Sequence, residues 1–458
     1  MTHTDAHAMS ASTVGSDPVG AGAPVYAPTA ATGRERRRGL SDPAARRVTL
    51  GLLVLMVIGT ALIVVDGASG KSALIPPSPH IANYLRDIGA KLDYHTFLID
   101  MLVLIGCYAG VVLLARRVPI RWTLGAVVVL HLVVLAGPVL LSQDIFSYVA
   151  YGRMGTLHGL NPYVHGPAAA IHDPIYRFIG HPWKHVPTAY GPVFTLASYP
   201  IALLGLTGAL WGMKVLAVAA SLGTVWMVWR CAELLGRDPR VPSLLFGLNP
   251  LVVIYDVGGA HNDLIMGFLM MVGIWLALRE HDFRGSATIV LGAAVKATSV
   301  AVLPFMALGR RRVSVVTGTV AGIAAIALIA FVGFGAHALD FISVLRRQQS
   351  FVSTDSFPNE VAHLFGLPGV FPFDRALLRG ALGLVVVYLL VRVWRGYDWL
   401  SASTVTMLAI AVTTTWLLAW YTVWALPLAV LSRDRRVLWA TLGVQGLFFA
   451  HQLAPLFT

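Results

Sequence analysis

Asp144 directly follows an apolar stretch and opens a polar segment, residues 143–190, rich in histidine and tyrosine and carrying Trp183. A carboxylate where a membrane helix meets the outside is costly unless it is used or paired. Partial desolvation there raises its pKa towards the range of a general base. An aspartate in this position can equally cap the helix that follows. The apolar positions Ile145, Phe146, Val149 and Met154 read as a short amphipathic helix lying at a membrane surface. On it Asp144, Tyr148 and Tyr151 share one face, with Arg153 off that face. Further on come Asn161, Tyr163, Trp183, Lys184, His185 and Tyr190. Aromatic rings beside carboxylates and amides suit a sugar, which offers C–H faces for stacking and hydroxyls for hydrogen bonds. The same residue types also populate the interfacial belt of membrane proteins.

Two more polar segments interrupt apolar sequence. Residues 256–263 bring Asp256, His261, Asn262 and Asp263 within about one turn, after two glycines that let the backbone approach a ligand. This set can hydrogen-bond a substrate or cap a helix. A divalent metal is possible but not indicated, because the spacing matches no known metal loop. Lys296 stands alone in the apolar run LGAAVKATSVAVLP and is read either as a snorkelling lysine or as a phosphate contact. In residues 335–375, Arg346 and Arg347 form a pair that reads as a phosphate clamp or as a solvated face.

The elements that must position these groups are membrane helices. Of the 458 residues, 57% are hydrophobic and only 12% charged, against roughly a quarter charged in a soluble chain. Long apolar runs span 48–65, 96–115, 123–142, 312–334, 376–395 and 399–418. Each approaches the ~20 residues that a bilayer crossing needs. Shorter or broken runs cover 191–207, 242–255, 264–279, 286–308, 420–431 and 436–451. The expected architecture is all-α and polytopic, with about 11–13 transmembrane or embedded helices. Residues 191–207 are read as a half-embedded helix, and 286–308 as a re-entrant pair with its tip near Lys296.

The net charge of +12 does not point to nucleic acid. The basic residues fall in short clusters between apolar runs, and most of the 34 Lys and Arg lie on one side when the N-terminus is placed in the cytoplasm. That threading puts loops 143–190, 256–263 and 335–375 on the outer face of the cell membrane. Residues 1–45 read as a disordered cytoplasmic tail, and 46–458 as the transmembrane domain. No cleavable signal peptide is expected, because the first apolar run begins near residue 48. Cys107 and Cys231 both lie in or beside apolar runs, which argues against a disulfide framework or zinc site.

Four motifs carry a resemblance: SQDIFSYVAYGRM at Ser142–Met154, GLNPYVHGP at Gly159–Pro167, PTAYGP at Pro187–Pro192 and NPLVVIYDVGGAHND at Asn249–Asp263. With the lysine-bearing helix around Lys296, they resemble the GT-C superfamily of polyprenyl-phosphate-sugar glycosyltransferases. More narrowly, the chain looks like the actinobacterial polyprenol-phosphomannose-dependent α-(1→6)-mannosyltransferases. The resemblance implies a polyprenyl-phosphate-mannose donor, a mannan or lipoglycan acceptor, and an acidic residue in the first large outer loop as catalytic base. The matching position is Asp144, with Asp66 and Asp100 as alternative acids. Lys184, His185, Arg346 and Arg347, with Lys296 more distant, are candidates to meet the lipid phosphate. Another polyprenyl-phosphate sugar, or a flippase for lipid-linked sugars, is the competing reading. A flippase of the usual kind carries inverted repeats, and no convincing repeat is present.

Overall fold

The computed structural model describes residues 43–78 and 81–453, and among these the regular elements are helices, with no β-strand. These residues belong to one compact unit. All but the last three positions of the expected cytoplasmic tail lie outside the described residues; Pro43 already opens the first helix. A helix satisfies its own backbone, which is why apolar sequence destined for lipid folds this way.

The chain runs through α1 (Pro43–Ala68), α2 (Tyr94–Leu114), α3 (Ile120–Ala136), α4 (Asp144–Leu157), α5 (Pro192–Ala202) and α6 (Gly205–Leu234). It continues through α7 (Arg240–Gly247), α8 (Asp263–Leu278), α9 (Asp282–Ala293), α10 (Leu303–Arg310) and α11 (Val313–Phe334). The last elements are α12 (Phe341–Gln348), α13 (Phe357–Leu364), α14 (Pro372–Trp394), α15 (Trp399–Thr413), α16 (Leu426–Ala429) and α17 (Arg435–Leu453).

Among the described residues, five helices are long and apolar enough to cross a membrane: Pro43–Ala68, Tyr94–Arg117, Gly205–Leu234, Val313–Leu339 and Pro372–Trp394. A sixth arises if α7 and the following turn at Leu251–Val257, bent by 45°, count as one span. The other apolar helices, α3, α8 and α15 among them, have 17 residues or fewer. The expected 11–13 embedded helices therefore resolve into a few full-length spans and many short ones.

The basic clusters gather at one end of the bundle. Arg116 pairs with Asp238 at 3.4 Å, Arg310 with Asp282 at 2.8 Å, and Arg312 with Asp282 at 3.2 Å. Arg237 donates to the carbonyl oxygens of Leu431 and Ser432, and Arg311 to that of Trp394. The polar loops gather at the other end. α9 and α10 form a helical hairpin whose feet meet through Asp282 and Arg310, and whose broken tip carries Lys296 towards the polar end.

One expectation changes. α4 does not lie on a surface: Ile145, Phe146, Ser147, Tyr148, Val149, Ala150, Tyr151, Gly152 and Met154 are all buried. Its packing against α5 and α6, with the loop of residues 158–190 over it, closes off nearly every face. The small residues on α4 make this possible; a Cβ at Gly152 would come within 2.6 Å of the Ser198 carbonyl.

Candidate functional site

The path from α3 to Asp144 is held by an unusual ligand. The Lys214 side chain on α6 is buried, and its Nζ donates to the carbonyl oxygens of Gly137 and Pro138. Two residues on, the Leu140 amide donates to the Gly258 carbonyl at 2.9 Å, which ties the approach to Asp144 onto the second polar segment. Leu141 and Ala260 both adopt left-handed backbone conformations, at φ 59° and 53°. Such conformations are rare for residues with a Cβ and concentrate where the surrounding structure over-determines the chain.

The second segment is wound as a π-turn over Leu251–Val257, with i to i−5 bonds from Gly258 to Val253 and from His261 to Asp256. Widened turns of this kind recur at functional sites. This one aims Asp256, His261, Asn262 and Asp263 inward, all nearly fully buried. The third piece is the break between α9 and the 3₁₀ turn Ala297–Val302. Gly191 packs directly on that break: its amide donates to the Val295 carbonyl, and a Cβ there would come within 2.1 Å of the Ala294 oxygen. Tyr190 and Lys296 are thereby brought to the same wall.

Between these pieces lies a cleft enclosing about 670 Å³, lined by Asp144, Tyr151, Trp183, Tyr190, Lys296 and Tyr421, among others. Asp144 Oδ2 lies 3.6 Å from His261 Nδ1, and the carboxylate is 26% exposed while the histidine is fully buried. Burial pushes the Asp144 carboxyl up to about 6; Lys296 pulls it down and Asp263 pushes it further up. Burial, and then Lys296, hold the His261 imidazole well below its usual pKa. The histidine is therefore neutral near pH 7, so the Asp144–His261 contact is not an ion pair. Its ring stacks on Trp420 at 3.5 Å. Lys296 Nζ reaches Asp263 Oδ1 at 2.6 Å and lies over the rings of Tyr421 and Trp424 at 4.4 and 5.1 Å. Trp424 Nε1 donates to the same Asp263 oxygen. Tyr148 packs edge-on against Tyr190 and Phe194, and its hydroxyl faces Asn262 Oδ1 at 3.4 Å.

Several buried polar atoms around this cleft have no hydrogen-bond partner: Asp256 Oδ1, both His261 nitrogens, Asn262 Nδ2, Asp263 Oδ2 and Trp420 Nε1. Buried polar groups are ordinarily paired, so a cluster of open valences in one place marks a site that ligand or water completes. No group of three His, Cys, Asp or Glu residues converges as a metal-ligand set among the described residues.

The residues singled out from sequence separate into two groups. Asp144, Tyr151, Trp183, Tyr190 and Lys296 line the cleft, and Tyr148, His261, Asn262 and Asp263 stand directly behind it. Elsewhere, Arg153 forms an ion pair with Asp173 at 2.9 Å. Asn161 donates to the Phe334 carbonyl, and the Tyr163 hydroxyl to that of Tyr190, so both brace the loop. Lys184 lies over the Tyr176 ring at 4.4 Å, and His185 is exposed. Arg346 and Arg347 are exposed too, whereas their neighbours Leu345 and Gln348 line the cleft. Of the alternative acids, Asp66 accepts from the Ala90 amide and Asp100 lies within α2; neither lines the cleft. Sequence reasoning missed Trp416, Trp420, Tyr421 and Trp424. The aromatic spacing WLLAWYTVW was the available signal, hidden where the apolar runs 399–418 and 420–431 meet.

The geometry can be set beside known proteins. A family profile described as "Alpha-(1->6)-mannopyranosyltransferase, N-terminal domain" matches residues 48–312. Alpha-(1->6)-mannopyranosyltransferase A of Corynebacterium glutamicum is 31% identical over 170 residues, 36% of this chain and 34% of that protein. The protein of the same name from Mycobacterium tuberculosis is 32% identical over 221 residues, 44% of this chain and 42% of its own. Alpha-(1->6)-mannopyranosyltransferase B of C. glutamicum is 32% identical over 149 residues, 31% of this chain and 24% of its own. The matched part thus covers well under half of each relative's length. No solved structure matches the chain. With the profile covering more than half of its residues, the chain belongs to the alpha-(1->6)-mannopyranosyltransferase family.

Proposed function

We propose that this protein transfers mannose from a polyprenyl-phosphate-mannose donor to a growing α-mannan or lipoglycan acceptor at the outer face of the cell membrane, with inversion at the anomeric carbon. The observation that carries the reading is Asp144, a carboxylate held near pKa 6 in the wall of an aromatic cleft. Family membership supports mannosyl transfer, and the relatives' printed names supply the α-(1→6) linkage. The gathering of basic clusters at the end opposite the cleft supports an outward-facing site by the positive-inside rule.

Asp144 takes the proton of an acceptor hydroxyl as that oxygen attacks the anomeric carbon from the face opposite the leaving group. The bond from that carbon to the phosphate oxygen breaks, and its electron pair leaves on the lipid phosphate. The transition state is oxocarbenium-like. Developing negative charge on the phosphate is met by Lys296, whose ammonium lines the same cleft and, in a water-poor site, counts for more than it does in water. A phosphate leaves without a protein acid, so one carboxylate suffices. Tyr151, Trp183, Tyr190 and Tyr421 supply the stacking surface for the sugar. Transfer of radiolabelled mannose from polyprenyl-phosphate-mannose to a short α-mannoside, by the purified chain and by Asp144→Asn, tests the proposal. Product from the native protein alone supports it. Activity retained in Asp144→Asn removes the base assignment, and no product with any lipid-linked sugar removes the enzyme reading in favour of a flippase.

A further inference from the structure

The His261 ring is fully buried beside Asp144, and neither of its nitrogens has a hydrogen-bond partner. Burying polar atoms in this way is unfavourable unless something completes them. The ring is also held in one orientation. Trp420 stacks on one face at 3.5 Å, with only 21° between the two planes. Gly259 leaves room at one edge, since a Cβ there would come within 2.5 Å of His261 Nε2. The π-turn fixes the backbone: the His261 amide donates to the Asp256 carbonyl at 3.0 Å, and Ala260 before it takes a left-handed φ of 53°. The turn is thus a cradle around one imidazole, and it leaves Nδ1 facing Asp144 Oδ2 at 3.6 Å.

That contact is longer than a hydrogen bond, as catalytic hydrogen bonds often are before a substrate arrives. Its polarity follows from charge. The imidazole is neutral, so one nitrogen carries a proton and the other a lone pair. A lone pair facing a carboxylate is repelled and an N–H is attracted, so with Asp144 ionised the proton belongs on Nδ1. The other groups around the pair are Lys296 from the break after α9, Asp263 from α8, Tyr148 and Tyr151 from α4, Tyr190 and Tyr421. They are engaged elsewhere. Lys296 is on Asp263, the Tyr151 hydroxyl donates to the Val186 carbonyl, and Tyr148 faces Asn262. Tyr190 is bonded with Tyr148, and Tyr421 with Lys296.

We propose that His261 is the positioning residue of Asp144: as the acceptor enters, the Nδ1–H bonds Oδ2, fixes the plane of the carboxylate and leaves Oδ1 to take the acceptor's proton. The inference deepens the proposed function and rests on its assignment of Asp144 as the base. His261 takes no proton itself. Its N–H favours the ionised carboxylate, which keeps Asp144 able to accept a proton near neutral pH. Trp420 and Gly259 hold the ring to that task.

The test reads the Asp144 carboxyl directly as well as the reaction. Infrared difference titration of the full chain in detergent, with Asp144→Asn as the blank, follows the carboxylic acid band of Asp144 against pH. Kinetics use polyprenyl-phosphate-mannose and a short α-mannoside. Asparagine at 261 keeps an N–H donor near the place of Nδ1, whereas glutamine puts its donor near that of Nε2. His261→Gln is expected to raise the Asp144 midpoint by about half to one pH unit, the size of one net hydrogen bond. The acid limb of kcat should move upward with it. At pH 7 its kcat should fall about 10²-fold, as for a reacting group misplaced by about 1 Å, with KM nearly unchanged. His261→Asn should keep the native midpoint and recover most of kcat. Gly259→Ala, which retains the imidazole but pushes it from its place, should behave like His261→Gln. Equal losses in His261→Asn and His261→Gln overturn the inference, because a purely structural histidine gives that result. So does a His261→Gln midpoint that stays at the native value. Transfer that needs Asp144 but not His261 also overturns it and leaves the proposed function standing. A midpoint that follows the Nδ1 donor in a chain that transfers no mannose keeps the pair and removes the proposed function.

Discussion

Asp144 and Asp173 belong to the same polar segment, residues 143–190, and their surroundings drive them in opposite directions. Asp173 is nearly fully buried, yet it accepts both oxygens' worth of hydrogen bonds from Arg153, another from His158 at 2.7 Å, and one from the Ile175 amide. Burial alone would raise its pKa; those donors outweigh burial and hold it below the usual carboxylate value. Asp144 is more exposed, but its neighbours are a neutral histidine, tyrosines and a lysine already bound to Asp263. Nothing donates to its carboxylate strongly enough to offset desolvation, and its pKa rises to about 6. One aspartate is a structural anion; the other, held near pKa 6, is the carboxylate proposed as the base. Burial does not distinguish the two; the donors facing each carboxylate do.

The largest way to break this contrast is Asp144→Asn, expected to lower mannosyl transfer by about 10²–10⁴-fold, the range for losing a general base. The same variant should be more stable than the native chain. Because the folded pKa lies above the unfolded 3.8, the folded state binds more protons between that value and about 6. Stability therefore falls as pH rises through this window, and the full penalty, at most about 3 kcal/mol, is present above it. Asparagine removes the penalty. Thermal melts at pH 4 and pH 7 check this: the gain should be seen at pH 7 and vanish at pH 4. Mannosyl transfer by the native protein is expected to rise with pH through about 6 and then level off. A profile that does not rise there sinks the base assignment.

Lys296→Met comes next, with a loss of roughly 10²–10³-fold in turnover, as for removal of one donor to a developing oxyanion. It also strands Asp263, so a melting curve must accompany the kinetics. Asp173→Ala should act differently in kind. Breaking a buried pair leaves Arg153 uncompensated and costs about 3–5 kcal/mol. A lower melting temperature is expected with the activity–pH profile of surviving enzyme unshifted. If the profile shifts, Asp173 is electrostatically coupled to Asp144 and the two aspartates are not independent.

Much of the fold was legible because a bilayer makes simple demands. Runs such as 48–65 and 96–115 became the full-length helices α1 and α2, since apolar sequence of that length has no alternative. The expected hairpin with its tip near Lys296 also emerged, its feet joined by Asp282 and Arg310. What composition hid was depth. α4 carries the period of a surface helix but is buried, because Gly152 and Gly155 let α5 approach more closely than any amphipathic pattern reveals. In the candidate site, the face shared by Asp144 and Tyr151 could be read from helical spacing alone. The partners of Arg153, Tyr163 and Lys184 could not, since those contacts cross 20, 27 and 8 residues of irregular loop.

The sequence by itself determined that this is an all-helical membrane chain with its polar groups in a few interruptions, and it marked Asp144, the Asp256–Asp263 turn and Lys296 as chemically loaded. Those are local properties: hydrophobic length, residue type and spacing along one element. Only the tertiary structure decided which of these groups meet. It placed Lys296 on Asp263 from 33 residues away and Trp424 on the same carboxylate from 161 away. It gave Asp173 its donors and withheld them from Asp144. A pKa depends on every charge and dipole within several ångströms, whatever its place in the chain, so the difference between an anchored carboxylate and one proposed as a base is written only in three dimensions.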